Sequence, residues 1–190
     1  MKAKLLLVLA IILVTALQAP CQSKKDRKKS KIKACTESFS ETKDGKTSTY
    51  KVSYEEFDKS GRSILKIDYL PDGTIEKKES AKYDSYGNKV EEIIQNLVKN
   101  KYSRKTSKYN VHKDKTEEIE YDAANNIVNK TTYMYSGGGN KVLETITDGL
   151  GKQIEKSIYL YNSHNLKSEK QLYDKSNNLD SSKKWEYIFY

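Results

Sequence analysis

The sequence predicts an all-β fold: an antiparallel meander of tandem 26-residue double-hairpin repeats, with the sheet curled into a half-barrel, barrel or flattened solenoid. Three observations lead there. Turn-forming residues recur with a fixed period, which is the signature of repeat architecture. The residues between turns are rich in Tyr, Ile, Val and Thr with interspersed charges, a composition that suits strands rather than helices. Aromatic side chains also keep one parity, since thirteen of the fifteen aromatics from residue 57 to 189 are odd-numbered.

Before the repeats come two segments of a different kind. Residues 1–23 read as a secretory signal: Lys2 and Lys4 supply a positive start, and Leu5 to Leu17 form an apolar core too short for a comfortable transmembrane helix. The mature chain is therefore expected outside the cytoplasm, in the periplasm, at the cell surface or secreted. Val14 and Ala16 offer small-residue spacing for cleavage, and a cut after Cys21 is a second option. A third is lipoprotein processing at Gln18-Ala19-Pro20-Cys21, with Cys21 acylated as a lipid anchor. If both cysteines remain, a disulfide between Cys21 and Cys35 suits an oxidising compartment.

Residues 24–37 read as a basic, flexible tether. Lys24 to Lys33 holds seven basic residues and one acid, a run that is usually solvated and could also touch anionic lipid or polymer. It also explains the formal charge of +9: Lys2 and Lys4 account for two, residues 24–33 for a net six, and residues 34–190 for one. The body is nearly neutral. That removes the main support for a nucleic-acid partner, and membrane contact is expected only through the tether or a lipid anchor.

The repeat domain is placed at 38–190. Thr42-Lys43-Asp44-Gly45 reads as a hairpin turn and Thr47 to Tyr54 as a strand, out of frame with the later turns and therefore an atypical capping repeat. From residue 57 one series of turns begins at Phe57-Asp58-Lys59-Ser60-Gly61 and recurs every 26 residues, through Tyr83-Asp84-Ser85-Tyr86-Gly87 to Tyr161-Asn162-Ser163-His164-Asn165. A second series lies twelve residues later, from Tyr69-Leu70-Pro71-Asp72-Gly73 to Tyr173-Asp174-Lys175-Ser176-Asn177. Eight of the ten units carry Asp or Asn second and eight carry Gly or Asn fifth. Asp or Asn opens a type I turn by accepting a backbone hydrogen bond, and Gly or Asn tolerates the left-handed conformation that closes it.

These turns imply about ten or eleven strands, ending in an aromatic strand, Trp185 to Tyr190, that is expected to be paired or docked. Because both steps between turns are even, the odd aromatics are expected on one face and even aliphatics such as Ile94, Ile146, Ile158, Leu160 and Leu172 on the other. Apolar burial is worth roughly 1.5 to 3 kcal/mol per large side chain. The sheet is therefore expected to curl over one face. Either the tyrosines are cross-strand packing, or they form an exposed platform for sugar rings.

The Tyr-Asp-x-x-Gly-Asn unit, clearest in Tyr83 to Asn88, resembles the YD repeat of Rhs and teneurin proteins and of small secreted proteins of Bacteroidota. The resemblance covers residues 57–187 and implies strand-turn-strand units in a long curling sheet, outside the cytoplasm. It implies no activity. The steps are shorter than the family's usual repeat, and the units at Gln95 and Tyr109 lack the Gly.

No constellation for catalysis interrupts the repeat. His112 and His164 occupy equivalent turn places two repeats apart, too far to share a metal. The recurrent Asp lacks the dense oxygen spacing of a calcium loop, and Ser136-Gly137-Gly138-Gly139-Asn140 enters a strand instead of the helix a phosphate loop requires. A non-enzyme without cofactor or metal is therefore expected. Its function would be to bind a polysaccharide or an envelope or extracellular protein through Tyr133, Tyr135, Tyr159, Tyr161 and Trp185. The alternative is a structural component of an envelope assembly.

Overall fold

A computed structural model of the chain describes residues 24–188 and 190. The signal segment and Cys21, the lipidation candidate, lie outside the described residues. The helix α1 (Lys24–Lys29) is followed by twelve strands in a single sheet. The strands are β1 (Ala34–Lys43), β2 (Lys46–Phe57), β3 (Ser63–Tyr69), β4 (Ile75–Tyr83), β5 (Lys89–Asn96) and β6 (Lys101–Tyr109), then β7 (Lys115–Tyr121), β8 (Ile127–Tyr135), β9 (Lys141–Asp148), β10 (Gln153–Tyr161), β11 (Lys167–Tyr173) and β12 (Leu179–Lys184). Spatial order equals chain order, so every strand pairs with its sequence neighbours and the sheet is an unclosed antiparallel meander. Among the described residues no helix is long and apolar enough to cross a membrane.

The turns form for the reason their sequence suggests. In the Asp84 turn the Gly87 N–H donates to the Asp84 carbonyl at 3.1 Å and the Asp84 N–H to the Asn88 carbonyl at 3.0 Å, and the same pair of bonds recurs at Asp122, Asp148 and Asp174. The closing residue is left-handed in nearly every unit, including Gly87, Asn125, Asn165 and Asn177, and also Lys113 at φ 69. The Asn that ends the motif has a role too. Asn88 donates its backbone N–H and its side-chain amide to the two carboxylate oxygens of Asp84, both at 2.9 Å. Asn126 does the same to Asp122, and Asn178 to Asp174.

Two expectations are corrected at the ends of the sheet. Helix α1 and the early start of β1 replace the uniform flexible tether expected over 24–37. Arg27 is buried, its guanidinium 4.3 Å from the centre of the Phe57 ring and its Nε donating to the Gly61 carbonyl at 3.0 Å. At the far end the last strand is the polar β12, and the aromatic terminus comes after it. Trp185 still donates its N–H to the Ser168 carbonyl at 3.0 Å, so the chain end stays docked on β11. Cys35, on β1, is disulfide-bonded.

The separation of aromatic from aliphatic faces is also corrected. At every turn from Phe57 on, except the one between β5 and β6, the register carries a bulge, as between Lys82 and Tyr83 or Met134 and Tyr135, and one extra residue reverses the alternation from strand to strand. Lys82 thus faces Glu91, and Tyr133 faces Glu144. Odd residues of the even-numbered strands β4 to β12 share a face with even residues of the odd-numbered strands. Ile94, Ile146 and Leu172 therefore lie on the same face as Tyr133 and Tyr159, while Ile158 and Leu160 lie with Tyr121 and Tyr173 on the other. The buried side chains of the sheet, Ser53, Phe57, Asp68, Thr131, Ser157 and Tyr159, all belong to the first of these faces. It is the crowded face, as expected on the inside of a curled sheet.

Candidate functional site: an aromatic and lysine row on the crowded face

Two aromatic columns run across the crowded face, and repeat spacing separates their roles. The first contains Phe57, Tyr83, Tyr109, Tyr135, Tyr161 and Tyr187, and its members up to Tyr161 each close a strand before a turn. Its tyrosines are clips. Tyr83 donates its hydroxyl to the Ser63 carbonyl at 3.0 Å, Tyr109 to Lys89 at 2.9 Å, and Tyr135, Tyr161 and Tyr187 to Lys115, Lys141 and Lys167 at 2.8 Å. Each bond reaches twenty residues back, from one turn to the start of the neighbouring strand. Burial holds the Tyr135 and Tyr161 hydroxyls above the usual phenol pKa, so they stay protonated donors.

The second column contains Tyr133, Tyr159 and Trp185, and the places before them in earlier repeats hold Glu55, Ala81 and Ser107. This column is confined to the end of the array. Of the five residues singled out from the sequence, Tyr135 and Tyr161 thus belong to the clips, whereas Tyr133, Tyr159 and Trp185 form a separate row. Tyr159 is 7% exposed, and Tyr133 and Trp185 are half-buried.

Lysines, which aromatic parity alone does not single out, cover these rings. Lys141 Nζ lies 5.3 Å from the Tyr133 ring centre and 4.7 Å from that of Tyr159. Lys167 lies 4.9 Å from Tyr159 and 5.5 Å from Trp185. Lys170 stands 5.7 Å from Tyr159, and Lys183 stands 5.4 Å from Trp185. Aromatic rings attract such ammonium groups through their negative faces. The signal in the sequence is another 26-residue column, Lys89, Lys115, Lys141 and Lys167.

In the middle repeats each of these lysines is neutralised three residues on. Lys89 pairs with Glu92 at 2.6 Å, and Lys115 with Glu118 and Lys141 with Glu144 at 2.5 Å. Tyr159 donates its hydroxyl to the same Glu144 oxygen at 3.1 Å. Burial opposes the Lys141 ammonium, but the Glu144 bond and charge outweigh it and raise its pKa. Burial first, then the charges of Glu118 and Glu144, push the Tyr133 phenol up to about 12, so it is neutral at physiological pH. The row offers aromatic surface, fixed ammonium groups and one neutralised carboxylate, an arrangement suited to holding a polar ligand.

Other residues weighed for chemistry are dispersed. His112 and His164 occupy turns on one rim, and among the described residues no three His, Cys, Asp or Glu side chains could hold a metal ion.

No family model matches the sequence, and no curated protein matches it. Among solved structures the chain is similar to a chain in the crystal structure of TcdB2-TccC3-Cdc42, with 9% sequence identity and a TM-score of 0.35. The likeness covers 80% of this chain and 10% of that one, so this chain spans about a tenth of the other's length.

Proposed function

We propose that the protein is a non-catalytic, extracytoplasmic repeat protein that binds a polysaccharide of the cell envelope or surroundings on the crowded face of its last repeats. One observation carries this reading: Tyr133, Tyr159 and Trp185 stand where the earlier repeats hold the non-aromatic Glu55, Ala81 and Ser107, while the clip column stays aromatic throughout beside them. Of these three rings, the half-exposed Tyr133 and Trp185 supply flat apolar surface against which sugar rings stack, and the buried Tyr159 lies beneath the lysines between them.

The test is a glycan array probed with the full chain and with Trp185→Ala. Signal on at least one glycan class, lost in the variant, supports the reading. A folded protein that binds no glycan overturns it. A second reading, an assembly component, is favoured by β1 and β12 at the two ends of the sheet, whose outer edges pair with no further strand among the described residues. It would take over if the protein bound no glycan and sedimented as a defined oligomer.

A further inference from the structure

The repeat rule that neutralises each lysine fails at one place. The column three residues on opens with Lys66, which follows Ser63 instead of a lysine and pairs with Asp68 at 3.2 Å, continues with Glu92, Glu118 and Glu144, and ends with Lys170. Register sets Lys170 directly opposite both Tyr159 on β10 and Lys183 on β12. Like charges directly opposed across a strand pair are destabilising. Lys167 adds a third ammonium, shared between the Tyr159 and Trp185 rings. On this face of β9 to β12 the nearby carboxylate, Glu144, is already engaged by Lys141 and the Tyr159 hydroxyl, and Glu155 lies toward the opposite end of β10. Among the described residues, Lys167, Lys170 and Lys183 thus meet rings and no carboxylate. By contrast, the lysines of the middle repeats that are equivalent to Lys167 all meet Glu.

We infer that Lys167, Lys170 and Lys183, ranged around the Tyr159 and Trp185 rings, form a subsite for an acidic polysaccharide whose carboxylates supply the missing counter-charge while a sugar ring lies on Trp185. This deepens the polysaccharide reading and rests on it. Tyr159 is too buried to be a stacking surface itself. Its ring is instead the floor that holds the ammonium groups in place, and Trp185, half-exposed at the end of the row, is the surface a sugar can reach. A polymer suits the site better than a small anion, because the three ammonium groups are spread over two neighbouring strands instead of converging on one point.

The experiment measures binding of the full chain to polygalacturonate and to neutral dextran, with a thymidine oligonucleotide as a second polyanion. Lys170→Glu restores the rule of the other repeats and is not expected to disturb the fold. The control, Lys25→Gln with Lys29→Gln, thins the basic N-terminal segment, which would attract any polyanion. The expected result is preference for polygalacturonate over both other polymers. Lys170→Glu should weaken that binding roughly tenfold or more and flatten its salt dependence, and the N-terminal control should leave it within about twofold. Equal binding of dextran and polygalacturonate, lost in Trp185→Ala but unchanged in Lys170→Glu, would overturn the acidic subsite and leave the polysaccharide reading standing. Loss that occurs only in the N-terminal control overturns the subsite, and so does an oligonucleotide that binds as tightly as polygalacturonate. Binding of neither polysaccharide overturns it as well, and the glycan array then decides the wider reading.

Discussion

Replacing Tyr135 by Phe removes one hydroxyl and nothing else, which makes the clip column open to direct measurement. The bond to the Lys115 carbonyl is 2.8 Å long and partly buried. A neutral hydrogen bond of this kind contributes about 1 kcal/mol net, and the carbonyl left behind near the rim regains only part of that from water. Tyr135→Phe and Tyr161→Phe should therefore each destabilise by about 1 kcal/mol. Their hydroxyls share no partner, and the two tyrosines stand two strands apart, roughly 10 Å, so the double variant should lose about 2 kcal/mol. Tyr109→Phe should lose less, because its bond to Lys89 is exposed. Urea unfolding followed by circular dichroism gives the totals, and hydrogen exchange at the strand starts shows where protection is lost. Losses below about 0.3 kcal/mol at Tyr135 and Tyr161, or no gradation from Tyr109, would refute a stabilising role for the hydroxyls.

Two further outcomes concern the turns and the N-terminal contact. A Cβ added at Gly61 would lie 2.6 Å from the Lys24 carbonyl and 2.9 Å from the Lys28 nitrogen, on a backbone at φ +72, whereas at Gly73, φ +84, nothing lies within 4 Å. Gly73→Ala should cost about 1 to 2 kcal/mol from its left-handed backbone alone, and Gly61→Ala should cost more and make residues 24–33 cleavable by trypsin. Equal thermal shifts with no new cleavage would contradict the docking of α1. The Asp122 and Asp174 carboxyls are held below their usual pKa by hydrogen bonds from Asn126 and Asn178. Their stabilisation is complete above the unfolded value of about 3.9 and is lost as pH falls through the lower folded values. Asp122→Asn with Asp174→Asn should thus lessen the loss of stability below about pH 4. An unchanged acid midpoint would speak against these caps.

What can be read from the sequence depends on the range of each interaction. The turns are legible because an Asp84 carboxylate and an Asn88 amide act within five residues, and the 26-residue period multiplies that local signal until the meander is implied. The faces are not, because parity counting has no place for the residue each bulge adds. That single residue moves Ile94 and Ile146 to the side of Tyr133. The contact of Arg27 with Phe57 joins residues thirty apart in a segment whose composition reads as solvated, so no local pattern announces it. Tyr133, Tyr159 and Trp185 stand out as a group by their aromatic character. Their lysine cover does not, because Lys in a charged repeat looks ordinary until the columns are aligned and Lys170 stands where Glu is the rule.

The sequential strand order gives the molecule a simple growth law. With contacts confined to neighbours along the chain, loop closure is short at every step, and such topologies fold quickly and stand as linear arrays of interchangeable modules. Each 26-residue duplication adds two strands and restores the starting orientation. The array can therefore lengthen by whole modules without disturbing the face alternation, whereas adding one strand would turn every later side chain over. Because the clips and the row of Tyr133, Tyr159 and Trp185 occupy different columns, such a chain can change the surface it presents, module by module, while its framework is copied intact.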